Sequence, residues 1–308
     1  MKPNPKRRTL LGMAAAAGLS PALFSGRGNA SEHLMAKRPI HSSGELLPVI
    51  GLGTYQAFGV GSSGRERDPL RDVLRQFAGQ GGSVLDSSPM YGSAEGVVGD
   101  LSAQLSLRPQ LFMATKVWTS GRQSGIDQMN ASFRKMRVEV MDLMQVHNLV
   151  DLRTHTNTLA QWKESGKIRY TGVTHYHAGA HDRLEQVMKS RTFDFTQFNY
   201  SIVEREAEER LLPTALDTGT AVIVNRPFAA AGLFSRVRGV ELPAWAAEFD
   251  CQSWAQFFLK YIVSHPAVTC AIPATSKPKH LVDNMAAGYG RLPDEATRKR
   301  MRQLIDKL

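Results

Sequence analysis

The sequence predicts an α/β protein with the (β/α)8 TIM barrel fold, and three observations support this. Eight short apolar runs with strand character follow one another, and stretches with helical spacing separate them. The alternation covers about 240 residues, which is the usual length of a barrel built from eight such units. The composition, 42% hydrophobic and 21% charged, supplies enough core for one large domain. Because no linker divides the chain after residue 30, we expect residues 31–308 to form this barrel.

Residues 1–30 have a different character and predict a signal peptide. All the charged residues of this segment are basic, and Arg7 and Arg8 stand just before an apolar run from Leu10 to Phe24. Small residues ending at Ala30 then offer a cleavage site. The pattern resembles a twin-arginine signal, so we expect the twin-arginine export machinery to deliver the protein to the periplasm. A basic N-terminus without a targeting role is the alternative.

The remaining composition argues against several partners. The formal net charge is +10, but five basic residues lie within the first 30, which leaves 33 basic against 28 acidic residues. No later stretch interleaves aromatic and basic residues, so nucleic acid is not an expected partner. The apolar run near the N-terminus is too short and too rich in Ala for a stable membrane anchor. Cys251 and Cys270 cannot form a zinc site alone, and we expect no metal.

The elements can be assigned in order from hydrophobic spacing. Residues 39–50 predict a hairpin over the barrel floor, and the first barrel strand follows at 51–53. Asp68 predicts a helix cap, with Pro69 in the first turn of a helix that carries one apolar stripe to Phe77. The other strands are expected at 83–86, 111–116, 142–147, 167–173, 193–198, 221–224 and 268–272. Helices are expected between them at 94–105, 123–136, 152–162, 182–189, 204–217 and 251–264.

Three consecutive strands carry side chains that together can move a proton. Asp86 ends the second barrel strand with Tyr91 five residues beyond it, Lys116 ends the third strand, and His147 ends the fourth. The carboxyl ends of the strands form the catalytic face of a barrel, so these groups are expected to meet there. Tyr has an ordinary pKa near ~10, so it needs a cation beside it to act as an acid at neutral pH, and a Lys in turn needs a carboxylate.

Each of these residues alone has an ordinary structural explanation, but their order is specific. Asp-x4-Tyr-Gly, Thr-Lys and Gln-Val-His-Asn at successive strand ends resemble the aldo-keto reductases, over nearly all of residues 39–290. The resemblance implies that a carbonyl is reduced to an alcohol, or the reverse, with NADPH (NADP+) as cofactor. Tyr91 would be the general acid or base, Lys116 held by Asp86 would lower its pKa, and His147 would orient the carbonyl oxygen. The substrate, the direction of reaction and the oligomeric state are left open.

The resemblance also implies which residues face the nicotinamide. Thr174 and Gln197 correspond to carboxamide ligands of the family, whereas His175 replaces an Asn at that site. Asn225 stands where many members stack a Tyr on the nicotinamide, and Arg226 could contact the pyrophosphate. A neutral imidazole donates or accepts one hydrogen bond but does not do both as an amide does, so the departure at His175 leaves the carboxamide contact open.

Two other segments complete the implied cofactor site. Residues beside the ribose and pyrophosphate would be Gly53, Thr54 and Tyr55. The segment after the last strand would bind the adenosine 2′-phosphate through Ser276, Lys277 and His280, with Asp283 and Asn284 toward the adenine.

Two other functions are alternatives. A nicotinamide-binding sensor or subunit would keep the fold and cofactor without turnover, and the departures at His175 and Asn225 favour it while the complete tetrad opposes it. A lyase or isomerase would need Gly-rich phosphate loops after the last strands or metal carboxylates, and the sequence has neither. Residues 229–249 are expected on the substrate side, with an apolar wall that includes Trp245 and Phe249, and with Arg236 and Arg238 able to meet an anion.

Overall fold

A computed structural model describes residues 34–308, and their strands form a parallel eight-stranded sheet closed into a barrel. An antiparallel hairpin precedes it, formed by β1 (Lys37–Pro39) and β2 (Leu46–Pro48). The barrel strands pair in chain order: β3 (Leu52–Gly53), β4 (Val84–Asp86), β5 (Phe112–Val117), β6 (Met141–His147), β7 (Ile168–Thr174), β8 (Phe195–Asn199), β9 (Ala221–Asn225) and β10 (Val268–Ala271). The predicted (β/α)8 fold is confirmed.

The helices lie between the strands and after the last one. They are α1 (Gly64–Gly79), α2 (Ala94–Gln104), α3 (Arg122–Met136), α4 (Leu152–Glu164), α5 (His181–Lys189), α6 (Glu206–Glu209), α7 (Leu211–Thr218), α8 (Gly232–Arg236), α9 (Trp254–Val263), α10 (Pro278–Ala286) and α11 (Glu295–Ile305). Short 3-10 helices cover Arg108–Gln110, Ala178–Ala180 and Ala244–Phe249. Within residues 34–308, no helix is long and apolar enough to cross a membrane.

The barrel closes between β3 and β10. The Gly51 N–H donates to the Ala271 carbonyl at 2.8 Å, and the Ala271 N–H donates to the Val49 carbonyl at 2.9 Å. A Cβ on Gly53 would lie 2.8 Å from the carbonyl oxygen of Ile272. Gly53 therefore allows the closing strands to approach each other, which is a structural reason for glycine at this position.

Side chains inside the barrel change from apolar to polar along the strands. Alternate residues of a strand face inward, and the lower positions form a cluster that includes Val84, Leu143 and Phe195. The hairpin residues Ile40 and Leu47 belong to the same cluster, which confirms the predicted hairpin over the barrel floor. One inward position further along, β4, β6 and β8 carry buried polar side chains: Asp86, Gln145 and Gln197. The strands thus bury a polar group near their carboxyl ends.

Helix α1 begins earlier than predicted. Its N-cap is Ser63, and Pro69 lies inside the helix, so the assignment of Asp68 as the cap was wrong. The carboxylate of Glu66 accepts from the Ser63 hydroxyl at 2.5 Å and from the Gly61 N–H at 3.2 Å. A Ser with a Glu three residues later is a known signal for a helix start, and here it outweighs the preference of proline for the first turn.

The single helix predicted over 204–217 is two helices, α6 and α7, which meet at Arg210. Pro213 explains the break, because proline lacks an N–H and its ring clashes with the carbonyl four residues earlier. Helix α11 was not assigned from the sequence. Its buried Arg298 donates to the Glu208 carboxylate at 2.7 Å and to the Tyr200 hydroxyl at 2.9 Å, which anchors the C-terminal helix to the barrel.

Candidate active site

A buried ion pair lies at the centre of the site. Lys116 is fully buried at the end of β5, and its Nζ donates to Asp86 Oδ2 at 2.5 Å and to the Ser87 carbonyl at 2.7 Å. Burial opposes the charge on Lys116, but the charges of Asp86 and Tyr91 and their hydrogen bonds outweigh it and raise its pKa. Lys116 is therefore a cation at neutral pH.

Two amides hold the other oxygen of Asp86. Gln145 Nε2 and Gln197 Nε2 each donate to Asp86 Oδ1 at 3.0 Å. Gln145 was not predicted from the sequence. The signal was its position two residues before His147 in a strand with few other polar residues, because that spacing puts both side chains on the inner face.

Thr54 contacts the backbone of Asp86 and the side chain that follows it. Its buried hydroxyl donates to the Asp86 carbonyl at 3.0 Å and contacts the Ser87 hydroxyl at 3.0 Å. In this structure Thr54 positions the end of β4, and its predicted contact with the cofactor stays a prediction.

Tyr91 and His147 lie above the ion pair. Lys116 Nζ is 5.2 Å from the centre of the Tyr91 ring, and the Tyr91 and His147 rings meet edge to face with centroids 6.2 Å apart. His147 Nδ1 is 3.1 Å from the Ser88 hydroxyl, a partner that was not predicted from the sequence. The structure therefore brings the four predicted catalytic side chains together.

The electrostatics of the two rings differ. Burial, then the Lys116 charge and then His175 lower the pKa of His147 to about 3, so this imidazole is neutral at neutral pH. Burial raises the pKa of Tyr91, and the Lys116 charge lowers it by less. The expected effect of Lys116 is present, but the net pKa of Tyr91 lies above its ordinary value because burial is the larger cause. At neutral pH Tyr91 is accordingly a protonated acid.

Two exposed aromatic rings flank this pair. Tyr55, 54% exposed, places its ring 5.0 Å from that of Tyr91, and Trp118, 42% exposed, places its ring 6.2 Å from that of His147. Of the apolar wall expected from residues 229–249, Phe249 is buried, and the place of Trp245 on the substrate side stays a prediction. Both rings pack against Phe257 of α9, at 5.7 Å for Trp245 and 6.1 Å for Phe249. An aromatic surface beside the catalytic groups comes from the loops after β3 and β5.

The predicted carboxamide ligands lie together beside Asp86. The Thr174 hydroxyl donates to Gln197 Oε1 at 3.0 Å. Asn225 Nδ2 donates to the same oxygen at 3.3 Å and to the His175 carbonyl at 2.9 Å. These side chains form one hydrogen-bonded group that is continuous with the Asp86–Lys116 pair.

The predicted phosphate residues are more dispersed. Arg226 is exposed, and its nearest carboxylate is Glu204, with 3.8 Å between nitrogen and oxygen. Ser276 and Lys277 are exposed just before α10, and Lys277 is its N-cap. His280 is exposed on the first turn, where partial burial and then Lys277 and Lys279 lower its pKa. His280 is therefore largely neutral at neutral pH.

The two predicted adenine residues differ in their contacts. Asp283 accepts hydrogen bonds from the Ser253 hydroxyl at 2.8 Å and from Gln256 at 2.7 Å, which joins α10 to α9. Asn284 is buried. Their contacts with an adenine stay predictions.

Comparison with known proteins identifies the family. Residues 49–304 match the aldo/keto reductase family. The methylglyoxal reductase YeaE of Escherichia coli K12 is 30% identical over 263 residues, which cover 82% of this chain and 89% of the relative. An NADH-specific methylglyoxal reductase of the same strain is 26% identical over 224 residues, covering 63% and 67%. A crystal structure of an aldo-keto reductase from Klebsiella pneumoniae in complex with NADPH has a TM-score of 0.73 at 24% identity, covering 88% and 96%.

The strand ends of this barrel bring a Tyr and a His, two side chains that can transfer protons, next to a buried Asp–Lys pair. With the match over most of its length, the chain belongs to the aldo/keto reductase family. It is an oxidoreductase of that family.

Proposed function

We propose that the protein reduces an aldehyde or ketone to an alcohol, or catalyses the reverse, with Tyr91 as the general acid or base. The observation that carries this proposal is the buried Asp86–Lys116 pair beneath Tyr91 and beside His147. A neighbouring cation stabilises the phenolate that Tyr91 becomes when it gives up its proton. The carboxylate of Asp86 keeps Lys116 charged despite its burial.

His147 orients the carbonyl oxygen. A neutral imidazole has one N–H, and when Nδ1 accepts from the Ser88 hydroxyl, that hydrogen lies on Nε2. Nε2 then donates to the oxygen that receives the Tyr91 proton, and two donors on one oxygen stabilise the charge that develops there.

The residues fit a nicotinamide dinucleotide. Asn225 carries a buried amide oxygen without a hydrogen-bond partner among the described residues, and Lys277 offers an exposed cation at the start of α10. When bound, the cofactor supplies the hydride, and the relatives' printed names and titles, which include NADPH and NADH, support the nicotinamide class. The side chains of this chain bind it, orient the carbonyl and transfer the proton.

Small α-oxoaldehydes are the first substrates to test, because two relatives are named methylglyoxal reductases. The rings of Tyr55 and Trp118 beside the catalytic groups also suit larger apolar carbonyls. The purified protein is therefore expected to oxidise NADPH when methylglyoxal or an aromatic aldehyde is added, measured as loss of nicotinamide absorbance. If the protein binds NADPH but oxidises it with no member of a broad carbonyl panel, the result would instead support the alternative function, a nicotinamide-binding sensor or subunit without turnover.

We further propose that NADPH is preferred over NADH, and that Lys277 is the main reason. The cofactors differ by a 2′-phosphate, and a charge-assisted contact to it contributes about 1.5–3 kcal/mol, or roughly 10- to 150-fold in affinity. Lys277→Ala is expected to weaken NADPH binding within that range and to leave NADH binding nearly unchanged, as measured by fluorescence titration. Lys299→Ala on α11 removes an equivalent exposed charge and serves as the control. Equal losses for both cofactors would contradict the assignment.

We also propose that residues 1–30, which lie outside the described residues, direct export to the periplasm through the twin-arginine machinery. Changing Arg7 and Arg8 together to Lys is expected to leave an active precursor in the cytoplasm, as measured by fractionation and activity. Intact N-terminal peptide on periplasmic protein would contradict cleavage after Ala30. Export of the double variant would contradict the choice of machinery.

A further inference from the structure

Gln197 has no hydrogen-bonding capacity left for a ligand. Its Nε2 donates to Asp86 Oδ1 at 3.0 Å and to Gln145 Oε1 at 3.3 Å, which uses both hydrogens. Its Oε1 accepts from Thr174 and Asn225, which uses both lone pairs. The orientation of the amide is fixed, because the Asp86 carboxylate, which is paired with Lys116, accepts hydrogen bonds. Gln197 can therefore bind a carboxamide only by giving up one of these contacts.

Asn225 has the opposite property. Its Nδ2 must face the His175 carbonyl, which can only accept, and its second hydrogen goes to Gln197 Oε1. The remaining atom, Oδ1, is buried and has no hydrogen-bond partner among the described residues. Leaving an amide oxygen buried without a donor is costly, so this atom calls for an N–H or O–H from a ligand.

His175 supplies the complementary group. Its Nδ1 accepts from the Tyr176 N–H at 3.0 Å, so a neutral ring carries its hydrogen on Nε2. Burial, and then the neighbours His177, Arg183 and His181, lower the pKa of His175 to about 4, which makes the ring neutral at neutral pH. His175 thus offers one N–H donor. The hydrogen bond from Asn225 Nδ2 to the His175 carbonyl joins this residue to Asn225, whose side-chain oxygen is the unpaired acceptor.

We propose that Asn225 Oδ1 and His175 Nε2 bind the nicotinamide carboxamide, and that Gln197 holds Asp86 instead. A primary carboxamide presents an NH2 donor and a carbonyl acceptor, which match the Asn225 oxygen, unpaired among the described residues, and the Nε2–H of His175. The inference rests on the proposed function, since it requires a nicotinamide cofactor. It also explains how His175 and Asn225 can depart from the family pattern together. His175 supplies the donor and Asn225 supplies the acceptor for the same carboxamide.

The test compares NADP+ with its 3-acetylpyridine analogue, which keeps the carbonyl oxygen but replaces the NH2 group by a methyl group. The parent protein is expected to bind NADP+ about 5- to 150-fold more tightly than the analogue, because the analogue leaves the Asn225 oxygen unpaired. In Asn225→Ala this ratio is expected to fall close to one. Protein fluorescence titrations give the two dissociation constants whose ratio is compared. A substitution that weakens both cofactors equally leaves this ratio unchanged.

His175→Phe is the matched control, because both cofactors keep the carbonyl oxygen. It is expected to weaken both to a similar extent and to leave their ratio unchanged. If Asn225→Ala does not fold, the nearly isosteric Asn225→Leu gives the same measurement. The inference is overturned if the parental ratio persists without Asn225, or if Gln197→Leu or Thr174→Val abolishes it while Asn225→Ala does not. Failure of the parent to bind NADP+ at all would overturn the proposed function itself.

Discussion

Tyr91→Phe is expected to lower the rate of carbonyl reduction by at least about 100-fold and to leave the affinity for NADPH nearly unchanged. The substitution removes the hydroxyl and keeps the ring, so the packing against Tyr55 and His147 is preserved. Steady-state rates with a reducible carbonyl, together with a fluorescence titration of NADPH, measure the two effects separately. A variant that turned over at the parental rate would remove Tyr91 from the mechanism.

Tyr55→Phe provides a matched control for this measurement. It makes the same chemical change on an exposed ring whose centroid lies 5.0 Å from that of Tyr91. The variant keeps the Tyr55 ring, which is the part that faces Tyr91, and no contact among the described residues joins the Tyr55 hydroxyl to Lys116, so it is expected to keep most of the parental kcat. A loss as large as that of Tyr91→Phe would mean that the effect comes from the aromatic surface and not from proton transfer.

Lys116→Met is expected to reduce both stability and activity. Breaking a buried ion pair by removing one partner costs roughly 3–5 kcal/mol, since it leaves the other charge buried and uncompensated. The amides of Gln145 and Gln197 remain on Asp86, which favours the lower part of that range. Urea unfolding measures the loss. The double variant Asp86→Asn, Lys116→Met buries no charge at this position, so it is expected to recover most of the stability and none of the activity.

The same variant changes the pH dependence of reduction. Reduction requires protonated Tyr91, so the rate falls as pH rises through the pKa of that phenol. Burial already raises this pKa and Lys116 lowers it, so removal of Lys116 is expected to move the alkaline limb to higher pH. Titration of His147 is not expected to change the rate near neutral pH, because the pKa of this residue is about 3. An alkaline limb that did not move would mean that another group titrates.

The barrel and its catalytic face were predictable because they depend on simple periodicities. Apolar runs separated by helical stripes indicate parallel strands, and the carboxyl ends of such strands meet at one face. That reasoning alone was enough to bring Asp86, Lys116 and His147 to the same place. Helix α11 and the break between α6 and α7 depend on tertiary contacts and on Pro213, which a periodicity analysis does not weigh.

The finer roles were not predictable because they depend on which hydrogen-bond partners are already occupied. Gln197 matches a family position by sequence, yet its four hydrogen bonds within the protein appear only once the strands are assembled. Asp283 and Thr54 also have partners within the protein. Asp283 accepts a hydrogen bond from Ser253 at the start of α9, and the buried Thr54 hydroxyl donates to the Asp86 carbonyl. The net pKa of Tyr91 likewise depends on a balance between burial and Lys116 that only distances reveal.

Hydride transfer to a carbonyl carbon is the central claim, and isotope transfer tests it most directly. NADPH that carries deuterium at the transferable position would be incubated with the protein and methylglyoxal, and the product would be analysed by mass spectrometry. We expect one deuterium on the new carbinol carbon, and at least about 100-fold less labelled product with Tyr91→Phe under the same conditions. Cofactor that binds and stays fully labelled with every carbonyl offered would contradict the account.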